Sequence, residues 1–216
     1  MCGIAGLIHR GKSSDVGNEL QLMLQALKHR GPDSTGYALY ADNDGENFIM
    51  RFKVGENVGE GSTSVNEDDS VYDKRKELVD QMLKSLGAKV LKEEKLTPYS
   101  YRYEMQYDED LMDFSKKIES IESVEILSIG KSLELIKDLG DAQEVLDRYD
   151  LGKVRGTHAI GHARMATESG VDIKSAHPFW GYPFSDVSVV HNGQLTNYWN
   201  NRSCLLYTSP SPRDLS

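Results

Sequence analysis

A cysteine at position 2, followed by Gly3, puts a thiol next to the start of the chain. If Met1 is removed, Cys2 carries both a thiol and a free α-amino group. An amine with an unperturbed pKa of about 7.7–8.0 can take the thiol proton at neutral pH. Nucleophile and base then share one residue. Position alone also allows Cys2 to be a small buried hydrophobe at a chain end. Other polar residues have ordinary readings one at a time: Asn192-Gly193 as a tight turn, Arg164 as a salt-bridge partner on a surface or strand edge, and His177 and His191 as core histidines. Residues 29–36, with Arg30, Pro32 and Asp33, read as a Pro-Asp turn. The six histidines and two cysteines show no metal-ligand spacing, so neither a metal nor a cofactor is expected.

Elements of two kinds must position these groups. The chain has 216 residues, with 34 acidic against 25 basic side chains and a net charge of −9. That balance excludes a nucleic-acid binder driven by phosphate neutralisation. No run approaches the ~18 apolar residues of a membrane span, and no basic and apolar leader opens the chain, so a cytoplasmic protein is expected. The charge is uneven. Residues 56–150 hold 24 acidic and 13 basic side chains, while the flanks hold 10 and 12. This acidic middle, opened by Gly55, Gly59 and Gly61 and closed near Gly152 and Gly156, is a segment of its own. Its acidity is that of a solvated face or of a docking surface for a basic partner.

Within it, residues 74–86 place Leu78, Met82 and Leu86 at four-residue spacing, a helix. Tyr99, Tyr101, Tyr103, Met105 and Tyr107 alternate as in a half-buried strand, which residues 88–91 can pair with. Residues 110–121 repeat Leu111, Phe114, Ile118 and Ile121, residues 124–129 form a short apolar run, and residues 132–139 and 142–149 read as helical. The order predicts a small α+β module. In the flanks, residues 2–10 read as a strand. Residues 16–29 read as a helix with Val16, Leu20, Met23, Leu24 and Leu27 on one face and Ser14 or Asp15 as N-cap. Residues 36–40 and 48–53 flank the turn sequence 42–45 as a hairpin, and residues 157–163 and 187–191 are further strands.

Taken together, five motifs change the weight of the single residues. Met1-Cys2-Gly3-Ile4-Ala5-Gly6, Lys28-His29-Arg30-Gly31-Pro32-Asp33-Ser34-Thr35-Gly36, Gly161-His162-Ala163-Arg164-Met165-Ala166-Thr167, Ala176-His177-Pro178-Phe179 and His191-Asn192-Gly193 occur in this order. The set resembles the class II glutamine amidotransferase domain, of the N-terminal-nucleophile hydrolases. The resemblance implies an α+β four-layer α/β/β/α sandwich, made by residues 1–55 and 156–202 and incomplete at its C-terminal end. Residues 56–155 would be the inserted acidic module. It also implies the roles. Cys2 attacks the side-chain amide of L-glutamine to form a thioester and release ammonia, with its own amine as base. Asn192 and the Gly193 amide hold the oxyanion, and Arg164 clamps the substrate carboxylate. Thr167, His177 and Arg30 line or support the substrate pocket. The implied partner is an ammonia-accepting synthase domain or subunit, with no nucleic acid and no membrane.

Two departures stand out. Several family members have an aromatic residue where this chain has Met165. The family also binds the substrate amino group through an aspartate in a Ser-Asp-type motif beyond Asn-Gly, and no such segment follows Asn192. Residues 204–214 resemble one reading frame of a transposon-based sequencing adapter, so residues 203–216 are expected to be an artefactual tail on a fragment that lacks activity by itself. The long insert is most similar to glutamate-synthase-like amidotransferases, including the free-standing amidotransferase subunit of glutamate synthase or N-methylglutamate synthase type enzymes. Asparagine synthetases, amidophosphoribosyltransferases and glucosamine-phosphate synthases share single motifs with the chain. A regulatory or assembly subunit retaining the fold without catalysis is the alternative from a different class.

Overall fold

A computed structural model of the chain describes residues 2–31, 33–43, 45–56, 68–165, 173, 176–193 and 196–208. It is α+β. Strands β1 (Gly3–Ile8), β2 (Ser34–Ala41), β7 (Leu133–Leu139) and β8 (Gly156–Arg164) form one antiparallel sheet in the order β1-β8-β2-β7. Strands β3 (Phe48–Lys53), β4 (Lys89–Thr97), β5 (Ser100–Gln106) and β6 (Glu125–Gly130) form a second, in the order β4-β5-β3-β6. A short pair, β9 (Phe179–Trp180) and β10 (Ser188–Val189), follows.

Helices α1 (Val16–Ala26) and α4 (Ala142–Arg148) cover one face of the first sheet. Val16, Leu20 and Leu24 of α1 and Val145 and Leu146 of α4 share a core with Tyr37, Leu39, Ile136 and Ala159 from the strands. Asp15 occupies the N-cap position of α1 without bonding a helix N–H; its carboxylate accepts from the Asn18 side chain instead. The opposite face, carrying Gly36, Ala38 and Tyr40, is crossed by the segment leading to β9 and β10. A Cβ on Gly36 would lie 2.0 Å from the carbonyl oxygen of His177, so only glycine lets this strand pass. Helices on one side of a sheet and β-structure on the other are compatible with the α/β/β/α sandwich.

In chain order the second sheet and its helices α2 (Asp69–Ser85) and α3 (Leu111–Ile118) run βαββαβ. With strand order β6-β3-β5-β4 this is the split βαβ arrangement of ferredoxin-like modules. Tyr72, Val79 and Leu83 of α2 and Phe114 and Ile118 of α3 share a core with Met50, Phe52, Tyr101, Tyr103 and Met105 of the sheet. Both helices begin at an Asp N-cap, Asp68 and Asp110, whose side chains accept backbone N–H groups.

Three expectations are corrected. The buried stripe of α2 is Tyr72, Val79 and Leu83, and Leu78 is 49% exposed; a four-residue spacing fits either of two neighbouring stripes. Residues 132–139 contain a strand, β7, and not a helix. Residues 48–53 do not make a hairpin with residues 36–40: β2 is flanked by β7 and β8, so β3 enters the second sheet. The sheets adjoin where β6 turns into β7 and the Leu135 N–H donates to Ser128 Oγ.

A charged seam crosses this junction. Glu134 of β7 is 3% exposed and accepts hydrogen bonds from Arg51 of β3 (Nε, 2.8 Å) and Arg102 of β5 (Nε 2.8 Å, Nη2 2.9 Å). Burial by itself would raise the Glu134 carboxyl; the two guanidiniums outweigh it and hold it at about 2. Lys53, also of β3, donates to the Lys137 carbonyl at 2.6 Å and lies 3.8 Å from Asp138. Asp138 accepts in turn from the Tyr99 and Tyr149 hydroxyls, both at 2.7 Å.

Candidate active site

Cys2 immediately precedes β1 and is half-buried. Register builds the site around it. Gly3 pairs with Ala163 and Ile4 with His162, while Ser34 of β2 pairs with Arg164 on the other side of β8. Cys2 and Arg164 therefore sit at the same end of adjacent strands. Strand alternation turns both toward the face opposite α1 and α4. The turn Lys28–Arg30 brings Arg30, half-buried, to this end of the sheet, and the Asp33 N–H donates to the Arg164 carbonyl at 3.2 Å.

The segment after β8 supplies the other wall. His177 stacks near His162, with ring centroids 5.2 Å apart, and packs edge-on to Phe179 at 4.5 Å. Its Nδ1 accepts the backbone N–H of His191 at 3.2 Å. The next residue reaches the backbone of Cys2: Asn192 Nδ2 donates to the Cys2 carbonyl at 2.9 Å. An amide nitrogen has two hydrogens, so one remains for a second acceptor beside Cys2. Gly193 has φ +146°, a conformation that side-chain-bearing residues rarely adopt. Cys2, Arg164, His177, Asn192 and Gly193, drawn from opposite ends of the chain, thus meet in one place, with Arg30 in the loop beside them. Thr167 lies outside the described residues.

The electrostatics are one-sided. Burial lowers the pKa of His177, and His191, Lys137 and Arg164 lower it further. His162 is 2% exposed and is lowered to about 4, by burial first and then by His177, Arg164 and His191. Among the described residues neither ring nitrogen of His162 meets a hydrogen-bond partner. His162 and His177 are therefore neutral at pH 7, and the Arg164 guanidinium supplies a fixed positive charge matched to a carboxylate. Among the described residues no group of three or more His, Cys, Asp and Glu side chains is placed to hold a metal ion, the three histidines included. No described helix is long and apolar enough to cross a membrane.

His162 and Phe179 stand inside two of the motifs but carry no role in the sequence reading, and Lys137 lies outside the motifs. His162 was legible as a polar residue two positions from Arg164 on one strand face. Lys137 was hidden by the helical reading of its segment.

No family model matches the chain. It is 39% identical over 213 residues to a protein of Methanothermobacter thermautotrophicus named as a glutamine amidotransferase, a match covering 95% of this chain and 65% of that one. It is 31% identical over 210 residues to the glutamine amidotransferase-like protein GlxB of Rhizobium meliloti, covering 95% of this chain and 63% of GlxB. A shorter match, 38% over 76 residues, reaches 35% of this chain and 13% of the chloroplastic amidophosphoribosyltransferase 1 of Arabidopsis thaliana. This chain carries a class II glutamine amidotransferase domain. The chain spans somewhat under two thirds of the length of the two relatives that match along most of it. Those two matches run through both sheets and their helices, whereas the plant enzyme shares about a third of the chain.

Proposed function

We propose that the protein hydrolyses the side-chain amide of glutamine at Cys2 and hands the ammonia to a synthase partner of the glutamate-synthase type. The observation that carries this reading is the hydrogen bond from Asn192 to the Cys2 carbonyl, an amide donor on the backbone of Cys2. After Met1 is removed, the Cys2 amine takes the thiol proton and Sγ bonds to the amide carbon. The oxygen becomes an oxyanion held by the free hydrogen of Asn192 Nδ2 and the Gly193 N–H. As the carbon–nitrogen bond breaks, the nitrogen takes the proton from the Cys2 ammonium and leaves as ammonia. Water then cleaves the thioester, releasing glutamate and restoring the thiol. Arg164 binds the substrate carboxylate, with Thr167, His177 and Arg30 completing the pocket. The glutamate-synthase-like assignment rests on the long insert, residues 56–155, between β2 and Arg164, which resembles that of glutamate-synthase-like amidotransferases.

The test is modification of the full-length protein by a glutamine-like electrophile, read by intact mass and peptide mapping. A single adduct is expected on Cys2, only after loss of Met1, with Cys2→Ala inert. Unchanged mass under saturating reagent would overturn the catalytic reading and favour a regulatory or assembly subunit.

A further inference from the structure

The wall that carries Asn192 and Gly193 is itself held by a side chain whose protonation state matters. An imidazole nitrogen can accept an N–H only while it is unprotonated, and His177 Nδ1 accepts the N–H of His191. His177 is braced from the far side by Phe179, and the Phe179 ring lies under the ammonium of Lys137, 4.9 Å from Nζ to the ring centroid. Lys137 is 2% exposed and its Nζ bonds Glu125 of β6 at 2.9 Å. A contiguous path therefore runs from the βαββαβ module through Glu125, Lys137, Phe179 and His177 to the backbone of His191, one residue before Asn192.

We propose that His177 and Lys137 are positioning residues: neutral His177 latches the residue 191–193 loop over Cys2, and the Lys137 ammonium, anchored by the module, keeps His177 neutral and its ring in place. The groups facing His177 are His162 and Arg164 from β8, Lys137 from β7 and His191 from the loop itself, all neutral or positive. None stabilises an imidazolium. A protonated His177 presents a donor to the His191 N–H, and the latch opens. This deepens the amidotransferase reading above and depends on it only for the purpose of the latch.

The test is nuclear magnetic resonance of the full chain, following the His177 ring nitrogens and the His191 amide across pH. His191 amide exchange, corrected for its intrinsic pH dependence, should rise about tenfold as His177 protonates, the loss of one hydrogen bond. In Lys137→Gln the His177 midpoint should move up by roughly half a pH, as expected for removing a unit charge at a screened distance. Lys137→Arg should stay near the parent. Should Lys137→Gln not fold, Phe179→Leu removes the brace and should raise His191 exchange at neutral pH. Exchange indifferent to His177 titration, a His177 midpoint unmoved in Lys137→Gln, or full protection in Phe179→Leu would each overturn the proposal. These readouts do not require Cys2 to react, so an inert Cys2 would refute the proposed activity and leave the latch standing.

Discussion

Glu134→Gln isolates the charged seam where the two sheets meet. The Glu134 carboxylate is 3% exposed and is bound by Arg51 and Arg102. Its pKa falls from the usual 4.5 to about 2. Each tenfold change in proton affinity is worth about 1.4 kcal/mol, so the folded state favours the ionised carboxylate by about 3 kcal/mol. Removing one partner of a buried ion pair costs a similar ~3–5 kcal/mol. The sign follows from the depressed value. The contribution is fully present above the unfolded carboxyl's pKa near 4.5, and it is lost as pH falls toward 2. Urea unfolding of parent and variant at pH 7 should therefore differ by about 3 kcal/mol. The gap should narrow as pH falls below 4.5, because the parent loses what the variant never had. A difference under about 1 kcal/mol at pH 7, or a gap unchanged between pH 7 and 3, would refute the assignment of the seam as a net stabilising contact.

Gly36→Ala should destabilise by about 2 kcal/mol or more, since the new Cβ meets the His177 carbonyl at 2.0 Å inside a packed crossing. It should also slow Cys2 modification, and unchanged thermal unfolding and labelling would contradict the crossing. Asp186→Ala should cost about 2 kcal/mol in thermal unfolding: its carboxylate accepts the N–H groups of Lys131, Ser132 and Leu133 at 3.1, 2.7 and 2.7 Å and ties the β9–β10 turn to the β6–β7 turn. Burial would raise the Asp186 pKa, but these bonds lower it. The loss should therefore be complete above the unfolded pKa and shrink on acidification, and an effect constant with pH would count against the clip.

The elements that carry the site were legible because each has one clear period. Residues 157–163 stand in the structure as β8, and residues 16–29 as α1, which ends at Ala26 and buries Val16, Leu20 and Leu24 while Met23, expected on the same face, is 40% exposed. β7 was not legible. All seven of its residues are buried, Glu134, Lys137 and Asp138 included, so the alternation that marks a strand is absent. Those charges are tolerated because Arg51, Arg102, Lys53 and Glu125 from other strands and Tyr99 from the β4–β5 turn meet them, and single-sequence periodicity carries no pairing information. The turn sequence after β2 misled for a related reason. A local hairpin was available, but β2 is flanked by β7 and β8. The motifs pointed to Cys2, the Asn-Gly pair and Arg164, which the structure brings to one place, yet the histidine-to-backbone contact behind them depends on a fold-level crossing at Gly36.

The same contacts decide how the insert relates to the amidotransferase sheet. A module attached through a linker would present a solvated face at its boundary and share few buried groups with its host. Here β7 gives its backbone to the amidotransferase sheet through β2, and its side chains to the module through Arg51, Arg102, Lys53 and Glu125. Removing either half would strip Glu134, Asp138 and Lys137 of their charge partners and open the packed junction to water. The strand belongs to both. Lys137 extends that sharing to the pocket, because the ammonium neutralised by the module's Glu125 also caps the ring that braces His177. A shift of β6 relative to β7 would be felt first at Lys137 and, through Phe179 and His177, at Asn192 and Gly193, the residues proposed to hold the oxyanion.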